Sequence, residues 1–404
     1  MTRDLMLIAI SMCLWGVGEG MFYYFQPIYL QQMGADPIKI GAILGAAGII
    51  MTAAHLPAGY LADRFGRKPV MVSAWLLGVV STWMMALANS LTTFVIGLLC
   101  YGSTLYVISP LNSYVTIARG KWSVGRVITL VSATFNLGMI AGPWLGGQIG
   151  AKMGLRQTYY IAAWVFVLST LVILFIRSQP IERSTAEKRD DGWLFNPRYL
   201  SYLGIIFLAA FALYLPQPLS PNYLQNQRGL DVSQIGPLYS ITSLGVVVLN
   251  LTLGQLPTRL GFVLGQLAVG LFSLFLWKGS GLPLYVFGFF LLGGFKTVRS
   301  LAVAQVRDLV PQGRMGLAYG LTETIGTTST ILAPPLAGYL YTHNPSWMYA
   351  MSTALIAISI PLSYFLSPAP HRTPMASESH PSAHSLSPIP AALELTPPPE
   401  DQET

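Results

Sequence analysis

Four ionisable side chains, Glu19, Lys296, Arg299 and Glu323, fall inside long stretches that are otherwise almost free of charge. In such surroundings a carboxyl group can take up or release a proton, and an ammonium or guanidinium group can hold an anion or pair with the carboxylate. The four formal charges sum to zero. Glu19 lies in WGVGEGMFYYF, Trp15 to Phe25, and shares a helical face with Phe22, Tyr23 and Gln26 at i+3, i+4 and i+7. Lys296 and Arg299, three apart, share one face of a second helix, so an anion site rivals ion pairing there. No His, Cys and Glu spacing suggests a metal site, and no cofactor is expected. The chemistry is electrostatic rather than covalent, which reads as a protein that is not an enzyme.

The elements that hold these charges follow from composition. The chain has 404 residues, 53% hydrophobic and only 10% charged, against roughly 25% charged in soluble domains. Twelve apolar runs of about 20 residues can be marked. Six are Leu5 to Leu30, Ile38 to Leu61, Pro69 to Ala88, Leu91 to Ile117, Val127 to Ala151 and Tyr159 to Ile176. The other six are Tyr199 to Leu219, Val232 to Leu256, Phe262 to Trp277, Leu282 to Val306, Leu317 to Tyr341 and Trp347 to Leu366, of which the run from Phe262 is short. Backbone polar groups in hydrocarbon must be satisfied within the segment, so continuous runs of this length predict helices rather than barrel strands. The expected fold class is an all-α polytopic membrane protein embedded in a lipid bilayer. The first run is too long for the apolar part of a signal peptide and lacks a small-residue cleavage site, so it is expected to stay as a span.

Basic residues set the orientation. With the amino terminus in the cytoplasm, sixteen of the 23 Lys and Arg fall in inside segments and five in outside ones, so both termini are expected to be cytoplasmic in the plasma (inner) membrane. That bias accounts for the net charge of +7, so no nucleic-acid partner is read from it. Cys13 and Cys100 both lie in apolar runs and suggest no disulfide framework.

The runs divide into two sets of six. Residues 1–177 form the first expected bundle, 178–197 a polar cytoplasmic linker, 198–366 a second bundle, and 367–404 a Pro- and Ser-rich tail expected to be disordered. The bundles are related in sequence. PIYLQQMGADPIKIG from Pro27 aligns with PNYLQNQRGLDVSQIG from Pro221, at an offset of 194 residues before a single insertion and 195 after it. The offset of 195 also relates GYLADRFG at Gly59 to GQLPTRLG at Gly254. Two matches at one offset indicate a duplicated six-helix unit, the arrangement that places a substrate site at the midplane between halves.

GYLADRFGRKP, between the second and third runs, resembles the signature G-x-x-x-D-R-x-G-R-K of the major facilitator superfamily through Gly59, Asp63, Arg64, Gly66, Arg67 and Lys68. With twelve helices and a duplicated half, the resemblance covers about residues 1–366. It implies twelve transmembrane helices in two pseudo-symmetric six-helix bundles and secondary transport of a small-molecule substrate by alternating access. In the family this loop acts as a latch between the halves, here toward a helix start near Met315 to Leu317. The second copy has Thr258 in place of the acid and no basic pair after Gly261. In the fifth run, GMIAGPWLGG is similar to the family's antiporter signature through Gly138, Gly142, Pro143, Gly146 and Gly147. This implies proton-coupled export, although the fourth run lacks the embedded Arg that many proton-coupled exporters carry. Tight packing with a proline kink is the alternative reading of the same stretch.

Depths along the helices suggest how the four charges associate. At the rise of an α-helix, Glu19 lies about 21 Å from the cytoplasmic boundary, Lys296 about 15 Å, and Arg299 and Glu323 about 10 Å. Arg299 and Glu323 are expected to form a structural ion pair inside the second half. Because the family places its first, fourth, seventh and tenth helices around the cavity, Glu19 and Lys296 are expected to pair across it, with protonation of Glu19 breaking the pair. At the repeat offset Glu19 corresponds to Leu213, so the fold does not demand an acid there. Tyr23, Gln26, Tyr106 and Asn112 are candidate cavity residues. The leading expectation is a monomeric, proton-coupled exporter of a small amphipathic or hydrophobic compound. The alternatives are uptake of an organic anion or sugar-like solute through Lys296 and Arg299, and a non-transporting sensor or scaffold that recruits partners through the tail. Unchanged transport after truncation at Leu366 would remove the motive for the last.

Overall fold

The computed structural model describes residues 1–55, 58–179, 197–306, 309–310 and 315–366, and among these every regular element is helical. The first six spans are α1 (Arg3–Phe22), continued by a 3-10 turn (Tyr23–Phe25) and α2 (Gln26–Gln32); α3 (Pro37–Ala54) with α4 (Ala58–Phe65); α5 (Arg67–Leu87); α6 (Leu91–Ser103), a 3-10 turn (Thr104–Val107) and α7 (Ile108–Ala118); α8 (Val124–Met153); and α9 (Leu155–Leu174). The second six are α10 (Pro197–Tyr214) with α11 (Ser220–Arg228); α12 (Val232–Leu253); α13 (Thr258–Lys278); α14 (Leu282–Leu292) with α15 (Gly294–Val306); α16 (Met315–His343); and α17 (Trp347–Leu366). The short run at Phe262 is thus a full helix of 21 residues. The linker, apart from its ends, and the tail lie outside the described residues.

Eleven of these spans are long and apolar enough to cross a bilayer. The remaining one, α16, is 29 residues long but is diluted by Glu323 and by Thr324, Thr327, Thr328 and Thr330. Helix starts are fixed by capping side chains. Asp36 accepts from the Lys39 amide at 2.8 Å, Ser90 from Thr93 at 3.2 Å and Ser123 from Arg126 at 3.3 Å. Asp231 and Gln234 form a reciprocal capping box that starts α12. The hydroxyl and amide of Ser233 both bond the Asp231 carboxylate, at 2.7 and 3.2 Å, and the hydroxyl bond is the main reason that its pKa lies below the ordinary value.

The spans run up and down, so the connections α2–α3, α5–α6, α8–α9, α11–α12, α13–α14 and α16–α17 gather at one end of the bundle. The chain start and the α7–α8 connection lie at the other, here called the terminal end. The first span was expected as one helix. It instead changes to 3-10 geometry at Tyr23, and its repeat equivalent breaks between Tyr214 and Ser220. The fourth and tenth spans are broken too, at Thr104–Val107 and at Gly293. Irregular backbone at membrane depth is tolerated where it is buried in protein or lines a cavity, and the breaks in the first and fourth spans lie against the candidate site.

Candidate functional site

A cavity of about 590 Å³ lies between the two halves. Twenty-two of its 24 lining residues come from the first half, on α1, its 3-10 turn, α2, α3 and α5 to α8. Among the described residues the second half contributes Lys296 and Arg299 alone, from α15. Most of the lining is apolar, including Met12, Trp75, Leu111 and Phe135; Glu19 is its sole carboxylate among the described residues. Glu19, Tyr23, Gln26 and Asn112 stand in this lining, together with both cations. Tyr106 does not, because its hydroxyl is turned to Ser73 of α5 at 2.7 Å.

Glu19 is gripped from its own half. Its Oε2 accepts from Trp15 Nε1 at 3.1 Å, one helical turn earlier, and from the Tyr101 hydroxyl of α6 at 2.9 Å. Both bonds fall on one oxygen, so Oε1 takes none among the described residues. The donors belong to an aromatic stack. Trp15 lies on Phe166 at a centroid distance of 4.3 Å and 19° and runs nearly parallel to Tyr101 at 6.2 Å and 14°. Glycines make the space: a Cβ at Gly78 would strike the Trp15 ring, and one at Gly18 the Phe166 ring at 2.6 Å.

The expected ion pair between Glu19 and Lys296 is not formed. Trp15 and Tyr101 hold the carboxylate against its own half, and the cavity parts the halves at this depth. The Lys296 side chain is exposed into the cavity and its ammonium has neither ion-pair nor hydrogen-bond partner among the described residues. Arg299 does bond Glu323 of α16, as the depths suggested, with both side chains part-exposed. Among the described residues no group of His, Cys, Asp and Glu is placed to hold a metal ion, and Cys13 and Cys100 are free thiols.

From mid-depth toward the end opposite the termini, the halves close on each other. Tyr24 stacks on Tyr239 at 4.1 Å and 14°, and Tyr23 meets Tyr214. Asn222 donates to the Pro27 carbonyl at 3.1 Å and to Gln31 Oε1 at 2.6 Å, and Asn226 donates to the same Gln31 oxygen at 3.1 Å. Pro27, Gln31 and Asn222 belong to the two copies of the repeated P-x-Y-L-Q segment, so the duplicated sequence meets itself across the seal.

The expected antiporter stretch forms the wall of this seal. A Cβ at Gly138, Gly142 or Gly146 would overlap the α1 carbonyls of Cys13, Val17 and Met21, while one at Gly147 would enter α12 of the other half at Val232 and Gly236. The glycines therefore bring α8 backbone to backbone with both α1 and α12. Pro143 has no amide to bond the Met139 carbonyl, and Ser243 of α12 supplies the missing donor at 3.1 Å. On the opposite side of the interface, Pro334 and Pro335 free the carbonyls of Thr330 and Ile331, which face Gly48 and Gly45 of α3. Sequence reading missed this second site, although APPLAG from Ala333 repeats the spacing of AGPWLG from Ala141 and carried the signal.

Most of the loop motif is helical rather than loop: Gly59 to Phe65 lie in α4. Gly66 then takes a φ of 86°, a conformation that suits glycine, and α5 restarts at Arg67. Arg67 Nε donates to Ser113 of α7 at 2.7 Å, within its own half. Arg64 is exposed and its guanidinium lies 5.5 Å from the Phe65 ring, while Lys68 is half-buried. The side chains of Asp63 and of its expected counterpart, Met315 to Leu317, lie outside the described residues.

Comparison with known proteins places this architecture. Over 365 residues the chain is 21% identical to Multidrug resistance protein 2 of Bacillus subtilis, covering 86% of this chain and 90% of that protein. Over 373 residues it is 26% identical to the Sialic acid transporter NanX of Escherichia coli, covering 86% and 87%. The crystal structure of the nucleoside transporter NupG superposes with a TM-score of 0.77 at 16% identity, covering 90% of this chain and 98% of that one. The sequence profile of the Major Facilitator Superfamily matches residues 8–261 and 202–395. The chain is a multi-pass membrane protein and belongs to the Major Facilitator Superfamily of transporters.

Proposed function

We propose that the protein is a secondary active transporter that moves a small amphipathic compound across the plasma membrane by alternating access, with proton binding at Glu19 coupled to the cycle. The observation that carries this reading is the position of Glu19: among the described residues the sole carboxylate in the wall of a largely apolar cavity, at the depth where the two halves part. With the orientation expected from the basic residues, the cavity opens to the cytoplasm and the tyrosine and amide seal faces outward. The proton leaves or enters Glu19 on one side of the membrane in each state of the cycle. The test is reconstitution in vesicles of an amphipathic probe that the purified protein binds. An imposed pH gradient is expected to drive the probe uphill and a protonophore to stop it; movement indifferent to both contradicts the reading.

Direction divides two forms of this proposal. Export of a hydrophobic compound against proton entry is supported by the resemblance of the GPWLGG stretch and by the name of the Bacillus relative. Uptake of an organic anion is favoured by a specific observation in the cavity, the unpartnered ammonium of Lys296, and is in keeping with the name of the Escherichia relative.

A further inference from the structure

We infer that the cargo is an amphipathic organic anion, bound with its acidic head between Lys296 and the protonated carboxyl of Glu19 and its apolar body on the aromatic first-half wall. The inference rests on the reading of Glu19 as the proton site and names the cargo that such a site selects.

The two walls of the cavity differ in kind. Among the described residues the second half brings Lys296 and Arg299 alone, and the charge of Arg299 is already met by Glu323. Lys296 is therefore the cation in the lining that can take a head group. Across from it, Glu19 keeps Oε2 occupied by Trp15 and Tyr101 and leaves Oε1 free of protein donors. Around that carboxyl stand the tyrosines Tyr23, Tyr24 and Tyr101 from the first half, Tyr214 and Lys296 from the second, and the Arg299 and Glu323 pair beyond. Among the described residues no second carboxylate lines the cavity.

Charge balance then sets the order of events. With Glu19 ionised, it and Lys296 neutralise each other across the cavity, and an arriving anion would place two negative charges against one ammonium. With Glu19 protonated, one positive charge is left over in low dielectric, and Oε1–H becomes a donor to the same head group. Proton and anion binding thus reinforce each other, and by linkage each raises the affinity for the other equally. A cationic cargo would show the reverse, competing with the proton and repelled by Lys296. No covalent step is involved. The consequence for the cycle is that proton and anion travel together rather than in exchange.

The test is calorimetric binding to the purified full-length protein of naphthyl and phenylalkyl carboxylates, each beside its uncharged carboxamide and its amine. At mildly acid pH, where the free carboxylates remain ionised, the carboxylates are expected to bind about tenfold or more tighter than the matched carboxamides. That preference should fade at mildly alkaline pH. Lys296→Gln should bind carboxylate and carboxamide alike, with an unfolding temperature in the wild-type range showing that the fold is intact. Glu19→Gln should hold carboxylates with an affinity that no longer depends on pH. Equal binding of carboxylate and carboxamide in the wild type, tighter binding of the amines, or no binding of any carboxylate at acid pH overturns the inference. The two readings fail separately: loss of gradient-driven transport in Glu19→Gln without any carboxylate preference removes the cargo class and leaves the coupling. A carboxylate preference beside intact gradient-driven transport in Glu19→Gln removes the coupling.

Discussion

At the scale of single residues, the environment of Glu19 is set by two donors of different legibility. Trp15 stands four residues before Glu19, so one helical turn of sequence already placed an indole N–H under the carboxylate. Tyr101 comes from another span, 82 positions away, and only packing brings it there. Lys296, which depth alone suggested as a partner, is kept apart because the cavity opens between the halves at that level; a depth argument counts turns and says nothing about lateral separation. Tyr101→Phe removes one charge-assisted bond, worth about 1.5–3 kcal/mol when the acceptor is ionised. The expected result is a lower unfolding temperature for the purified protein at neutral pH, with little change in the Glu19→Gln background. The Arg299 and Glu323 pair was legible from depth, since both lie on consecutive spans of one half. Because both side chains are part-exposed, its worth is discounted: a double-mutant cycle with Arg299→Gln and Glu323→Gln is expected to give a coupling of about 1 kcal/mol or less.

Whole helices were the easiest features to read, and their irregularities the hardest. Runs of hydrophobic residues mark spans directly because lipid penalises every alternative. The 3-10 turn at Tyr23 and the helical character of α4 leave no such mark, since neither changes composition. Small residues were visible as a motif, but what they touch was not. Gly138, Gly142 and Gly146 serve α1, whereas Gly147 serves the other half. Gly142→Leu is expected to destabilise the fold by about 3 kcal/mol or more, because the added side chain meets α1 backbone that has no room to move, and loss of monodisperse protein in detergent would report it. The start of α12 offers a milder test. Asp231→Ala removes the capping box and is expected to cost about 1 kcal/mol, read as a lower unfolding temperature. The folded pKa of Asp231 lies below its unfolded value, so the stabilisation is complete at neutral pH. It is lost as pH falls from the ordinary aspartate range through the folded pKa.

Across the whole molecule, the duplication organises both the seal and the cavity. Two proline-bearing helices, α8 and α16, each expose carbonyls that their own helix cannot bond, and the facing half answers with Ser243 in one place and with Gly45 and Gly48 in the other. Under the proposed alternating access these contacts part when the cavity opens on the other side, and each is individually weak: a hydroxyl bond, Cα–H contacts and side-chain amide bonds. Gly147→Leu is expected to wedge the seal open. In a background without Cys13 and Cys100, a cysteine introduced at Asn222, which is buried in the seal, should then react several-fold faster with a membrane-impermeant maleimide, and an unchanged rate would count against the seal. The repeat is asymmetric at this position, since Leu213 is the equivalent of Glu19 and is fully buried. The most direct measurement of the account is therefore transport by Glu19→Gln in proteoliposomes, compared with wild type under an imposed pH gradient and in gradient-free exchange. Coupling at Glu19 predicts that exchange survives while uphill, gradient-driven movement is lost; uphill movement at the wild-type level in the variant would contradict it.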